Sequence, residues 1–217
     1  MKDLRDILSL ADRITVNTQS SIRIEDGGKV LYFDPIEIGG HPQDADVIFV
    51  THPHGDHFSP AAIAKICKAD TVLVVPASMA DKAKEAGLPL VTALPDGSGT
   101  AGGIAFQTVP AYNPAKRFHP RANDWVGYVV DVGGIRVYVA GDTDETDEAA
   151  AVGCDLALIP IGGTYTMTPA EAASLIRRMK PAAVIPTHYG SLVGKPGDGK
   201  TFASLVGGAS TVILRLG

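Results

Sequence analysis

The chain has 217 residues with a formal charge of −5, and 45% of its residues are hydrophobic. This length supports a sizeable buried core, with one domain over residues 1–217 as the default organisation. The mild acidity, with no basic tail or stripe, argues against a nucleic-acid protein. No basic start leads into an apolar segment and no run reaches the ~20 apolar residues of a membrane span, so a soluble, cytoplasmic protein is expected.

Gly and Pro punctuate the chain evenly, which fits many short elements. Residues 13–25 (RITVNTQSSIRIE) read as extended, and KVLYFDP as a strand stopped by Pro35, with Asp26 to Lys29 as a hairpin turn. DVIFV is continuously apolar, the mark of a strand buried on both faces. SPAAIAKICKA reads as a helix, with Ser59 as N-cap, Pro60 at the first helical position, and Ile63 and Ile66 facing the core. TVLVVP is a strand, and SMADKAKEAG a helix closed by Gly87. LVTALP, IAFQTVPAY, WVGYVVDV and IRVYVAG follow as strands, the last two joined through Gly133-Gly134. DLALIPI is a buried strand. TPAEAASLIRRMK is a helix with Thr168 as N-cap, Pro169 first, and Glu171 completing a capping box. AAVIPTHYG is a strand ending in a histidine, and STVILRLG closes the chain as a strand. The order suggests an α/β sandwich, because no GxGxxG follows the first strand and no P-loop is present. GKPGDGK, residues 194–200, contains Pro196 and shows no long helix after it, so it is not expected to cradle phosphate.

One stretch stands apart. THPHGDHF, residues 51–58, holds three of the six histidines of the chain. Alternation along an extended segment puts His52, His54 and Asp56 on one side, with His57 set off as the chain turns. Pro53 biases His52 away from helix. Imidazole and carboxylate together suit zinc, manganese or iron. A metal also removes the repulsion among crowded imidazoles, because it binds their neutral form. Cys67 and Cys154 are far apart and lie in no CxxC, which points to two reduced thiols.

THPHGDH resembles the signature of the metallo-β-lactamase-fold hydrolases. GDTD at 141–144 after the strand VYVA, IPIGGTYTM, and PTHYG near the end extend the resemblance over most of the chain. It is nearest the branch that contains the ascorbate-6-phosphate lactonases. The resemblance implies a four-layer αββα sandwich, two mixed sheets flanked by helices, with a two-metal site at one edge. It implies that His52 and His54 bind the first metal, that Asp56, His57 and His188 bind the second, and that Asp142 bridges both. Asp56 and Asp142 are the catalytic candidates. The family supplies another first-metal histidine in mid-chain, but here the strand ends in Tyr112-Asn113. His119, six residues beyond Asn113, is expected to take that place. His41 is read as a loop histidine, and Asp34 and Thr51 as groups that orient the histidines.

Two divalent ions, Zn or Mn, can lower the pKa of a shared water to near 7 for attack on a carbonyl or phosphorus centre. Redox members of the superfamily carry Glu where this chain has His54. The expected activity is therefore metal-dependent hydrolysis of a small ester, lactone or phosphoester. Lys116, Arg117 and Arg121 around His119 suggest an anionic substrate, and Lys195 and Lys200 stand as further candidates. A nuclease and a non-catalytic metal-binding protein that retains the fold are the alternatives. The oligomeric state is left open.

Overall fold

The computed structural model describes residues 2–216. Strands β1 (Ile14–Val16), β2 (Ile22–Asp26), β3 (Lys29–Phe33), β4 (Ala45–Phe49), β5 (Cys67–Pro76) and β6 (Leu90–Ala93) form one sheet in chain order. The second sheet holds β7 (Ser98–Ala101), β8 (Ile104–Pro110), β9 (Val126–Val132), β10 (Ile135–Val139), β11 (Leu156–Pro160), β12 (Ala183–Thr187) and β13 (Thr211–Val212), also in sequential order. Each sheet begins as an antiparallel meander and becomes parallel, from β3 in the first and from β10 in the second.

Continuous apolar strands follow from burial on both faces. In β4, Val47 and Phe49 point between the sheets, and Ile48 points outward. In β10 and β11, Val137, Val139, Leu156 and Leu158 face inward, while Tyr138, Ala157 and Ile159 face out. Phe33 stacks on Phe49 with ring centres 4.9 Å apart, and Phe106 and Tyr128 of the opposite sheet close on Phe49 at 5.7 and 5.0 Å. Truncating Phe49 to Ala would cost about 3–5 kcal/mol. Helices α2 (Pro60–Ile66) and α3 (Ala80–Ala83) cover the first sheet, and α4 (Asp147–Ala150), α5 (Pro169–Met179) and α6 (Asp198–Val206) cover the second. These are the expected four layers. Among the described residues no helix is long and apolar enough to cross a membrane.

Several elements differ from the sequence reading. Residues 13–25 are a hairpin, because Ser21 N–H bonds Thr18 O and turns the chain between β1 and β2. A helix α1 (Leu4–Ala11) precedes it, capped by Asp3 and burying Ile7, Leu10 and Ala11. The helix after Ser59 stops at Ile66, where Cys67 already pairs with Ala45. The segment ending at Gly87 is broken into 3₁₀ and α turns. Ser98–Ala101 is a further strand, folded onto β8 through Gly102-Gly103. Only Thr211–Val212 of the last segment is laddered, and a nine-residue helix does follow GKPG.

Candidate metal centre

The strands deliver chemistry at one end. β3 runs into Asp34, β4 into Thr51–Phe58, β10 into Gly141-Asp142, and β12 into His188. β8 leads into the loop that carries Asn113 and His119.

Asp34 organises the first cluster. It is fully buried in the left-handed region at φ 45°. Its Oδ1 accepts the Thr51 backbone N–H at 2.7 Å, and its Oδ2 accepts the Thr51 hydroxyl at 2.7 Å and His57 Nδ1 at 2.7 Å. The proton of His57 is thereby placed on Nδ1, and Nε2 turns toward the site. The single hydroxyl proton of Thr51 goes to Asp34, so its oxygen accepts Nδ1–H of His52 at 3.0 Å and frees His52 Nε2 in turn. His52 Nε2 lies 3.0 Å from His54 Nδ1. Two ring nitrogens at that distance need a shared proton or cation between them.

His119 is seated by a residue the sequence reading passed over. Asn113 Oδ1 accepts both the backbone N–H of His119, at 3.1 Å, and its ring Nδ1–H, at 2.8 Å. His119 Nε2 then points inward, 3.3 Å from Asp142 Oδ2. Asp142 Oδ1 lies 3.3 Å from His57 Nε2 and 3.4 Å from His188 Nε2. His188 Nε2 also lies 3.2 Å from Asp56 Oδ2. Asp142 therefore spans two groups of ligand-type atoms. Its entry depends on Gly141 at φ 65°, where an added Cβ would lie 2.8 Å from Thr51 Cβ. Gly162 plays the same part for His188, whose carbonyl oxygen would collide with any Cβ there.

All seven sequence candidates come together. Ligand atoms of His52, His54 and His119 lie within 4.8 Å of one another, as do those of Asp56, His57 and His188, and those of His52, His57 and Asp142. Buried His57 Nε2, His119 Nε2 and Asp142 Oδ1 have no hydrogen-bond partner. Unpaired buried polar atoms cost about 1–3 kcal/mol each, and three aimed into one space fit cations there. The electrostatics agree. Burial and a charged His57 hold His52 well below the usual imidazole range, leaving it in the neutral, ligating form. Burial opposes charge on His57, but Asp142 and Asp34 outweigh it and hold that imidazole well above its usual range. Burial alone would push Asp142 up, yet His188 and His57 hold it well below the usual carboxylate range. The carboxylates therefore set up a field that favours positive charge at the centre.

The Trp125 ring packs 5.0 Å from His52 and 4.9 Å from His54, a wall no motif signalled. His41 is exposed and lies away from the cluster. The site opens into a cavity of about 510 Å³ lined by His54, Gly55, Asp56, Phe118, His119, Asp142, Tyr165, Leu192 and Val193. A larger concavity of about 580 Å³ beside Gln107 and Arg136 holds none of the clustered imidazoles.

The comparisons with known proteins fit this geometry. The family model described as "Beta-lactamase superfamily domain" matches residues 13–188. The chain belongs to the beta-lactamase superfamily. Within the superfamily it groups with the UPF0173 metal-dependent hydrolases: that of Thermococcus onnurineus is 31% identical over 202 residues, covering 87% of this chain and 89% of the relative. A Parabacteroides distasonis protein, provisionally named a metal-dependent hydrolase, superposes with a TM-score of 0.79 at 28% identity, over 94% of this chain and 93% of that one. The diiron β-hydroxylase CmlA of Streptomyces venezuelae shares the superfamily fold at a TM-score of 0.72 and 13% identity, over 93% of this chain and 52% of its own. One fold thus hosts different chemistries, and the activity has to be argued from the site.

Proposed function

We propose that this superfamily member hydrolyses an ester, lactone or phosphoester bond of a small molecule with two divalent cations, Zn or Mn. His52, His54 and His119 would hold one, and Asp56, His57 and His188 the other, with Asp142 reaching both. The observation that carries this reading is the set of buried, unpartnered atoms: His57 Nε2, His119 Nε2 and Asp142 Oδ1. When bound, such cations supply a water ionised near neutral pH and a Lewis acid for developing negative charge.

The chain's own residues do the rest. Asp34 and Thr51 lock the His57 and His52 tautomers, so no rearrangement is required as substrate arrives. Asp56 and Asp142 line the cavity. There a carboxylate oxygen can take a proton from the attacking water and return it to the leaving group. The presence of His119 in the imidazole group supports an enzyme over a protein that lost its first site.

The anionic substrate expected from the loop after Tyr112 finds no support at the cavity. Lys116 Nζ pairs with Asp144 at 2.6 Å and bonds Thr166 O, and Arg121 pairs with Glu148 at 2.8 Å. Neither these nor Arg117, Lys195 or Lys200 lines the cavity.

The test is elemental analysis of protein loaded with Zn or Mn, beside turnover of phenyl esters, lactones and a phosphodiester. Near two ions per chain are expected, with turnover abolished in His54→Ala and Asp142→Asn while circular dichroism is retained. Unchanged turnover in both variants refutes the assignment.

A further inference from the structure

The wall of the cavity differs in kind from its floor. His54, Asp56, His119 and Asp142 make the floor, and Phe118, Tyr165, Leu192 and Val193 make the wall. Phe118, Tyr165 and Leu192 are 37%, 38% and 68% exposed, and they are three of only seven large hydrophobic side chains so exposed among the described residues. Scattered singly, exposed apolar residues need no explanation, but gathered beside a polar centre they mark a ligand surface.

The wall is also held in place. Phe118 and Tyr165 meet edge to face with ring centres 4.7 Å apart. The backbone carbonyl of Tyr165 accepts a 3.0 Å hydrogen bond from Asn113 Nδ2, the same side chain that seats His119. Phe118 directly precedes His119. The apolar wall is therefore in register with the ligand cluster. Two cations of the same loop are already engaged. The nearby cations Lys116 and Arg121 are neutralised by Asp144 and Glu148. Arg117 stays outside the cavity, 5.9 Å from the Phe118 ring centre.

We infer that the substrate carries an uncharged apolar group, an alkyl chain or aryl ring on the acyl or leaving side. It lies against Phe118, Tyr165, Leu192 and Val193 while the scissile bond reaches Asp56 and Asp142. This rests on the hydrolytic reading of the site. The cavity is in the size range of small-molecule sites. Water leaving the wall would be the main source of affinity, at about two- to fourfold per buried methylene.

The probe is a homologous series of 2-alkanones, from butanone to decanone. Ketones cannot be hydrolysed, so binding is read independently of turnover. Trp125, the single tryptophan of the chain, packs against His54 and reports binding by fluorescence on the metal-loaded protein. Dissociation constants are expected to fall about two- to fourfold per methylene until the wall is covered. The double variant Phe118→Ser/Leu192→Ser should flatten that gradient to below 1.5-fold. A flat series in the unmodified protein, or an unchanged gradient in the double variant, overturns the inference even if esters are hydrolysed. It is also overturned if sedimentation shows a dimer that Leu192→Ser dissolves and the ketone series is flat, because a second copy would then cover the wall. A full ketone gradient with no ester, lactone or phosphoester turnover supports the apolar wall and counts against the hydrolase reading alone.

Discussion

Replacing Asn113 with Ala removes one oxygen that accepts two protons from His119. The backbone N–H at 3.1 Å and Nδ1–H at 2.8 Å both lose their partner. Both belong to a buried residue, so each orphaned donor costs about 1–3 kcal/mol unless His119 turns to find water. Turning carries Nε2 away from Asp142 Oδ2. Loss of such an outer partner typically weakens metal affinity about 10- to 100-fold. Among the described residues only one of the three groups of ligand atoms contains His119, and His57, which belongs to the other two, is oriented by Asp34. A competition titration against a chromophoric chelator is therefore expected to resolve two binding events. In Asn113→Ala one should weaken 10- to 100-fold and the other hold, and Asn113→Asp, which keeps the acceptor, should largely restore the first. Equal weakening of both events, or none, with the native melting profile retained, would rule out Asn113 as the residue that seats His119 for one metal.

Gly141→Ala should destabilise the fold by about 1–3 kcal/mol, from the strained left-handed backbone and the contact with Thr51. That lowers the melting temperature of a chain this size by about 2–4 °C per kcal/mol, and an unchanged melt would contradict the close packing. The metal-free protein should lose stability in acid. Asp142 is held below the unfolded carboxylate value of about 3.9, so its contribution is complete above that value and is lost as pH falls through the depressed folded one. His57 acts in the opposite sense: raised above about 6.5, it contributes fully below that value and loses its contribution as pH rises through the folded one. Urea midpoints measured across pH after chelator treatment should show the acid loss, and Asp142→Asn should shrink it.

Much of this site was legible because its residues follow strands that are themselves legible. DVIFV, VYVA and AVIPT are apolar runs, and His52, Asp142 and His188 come just after them. His119 was harder, because it sits nine residues beyond the end of β8. Its placement depends on Asn113, whose clamp carries no periodic signal. The loop cations Lys116 and Arg121 were legible as charges but not as ion pairs, because their partners Asp144 and Glu148 are distant in the chain. Among the elements, α1 was missed because its apolar face is only Ile7, Leu10 and Ala11 amid charges. Strand β7 was missed because SGTA has little intrinsic strand preference and is held in place by pairing with β8.

A crystal structure of the Zn- or Mn-loaded protein, with anomalous scattering locating the ions, would show directly which side chains hold metal. Two ions are expected, one against His52, His54 and His119 and the other against Asp56, His57 and His188, with Asp142 touching both. A single ion, or a loaded site from which His119 is turned away, would contradict this assignment.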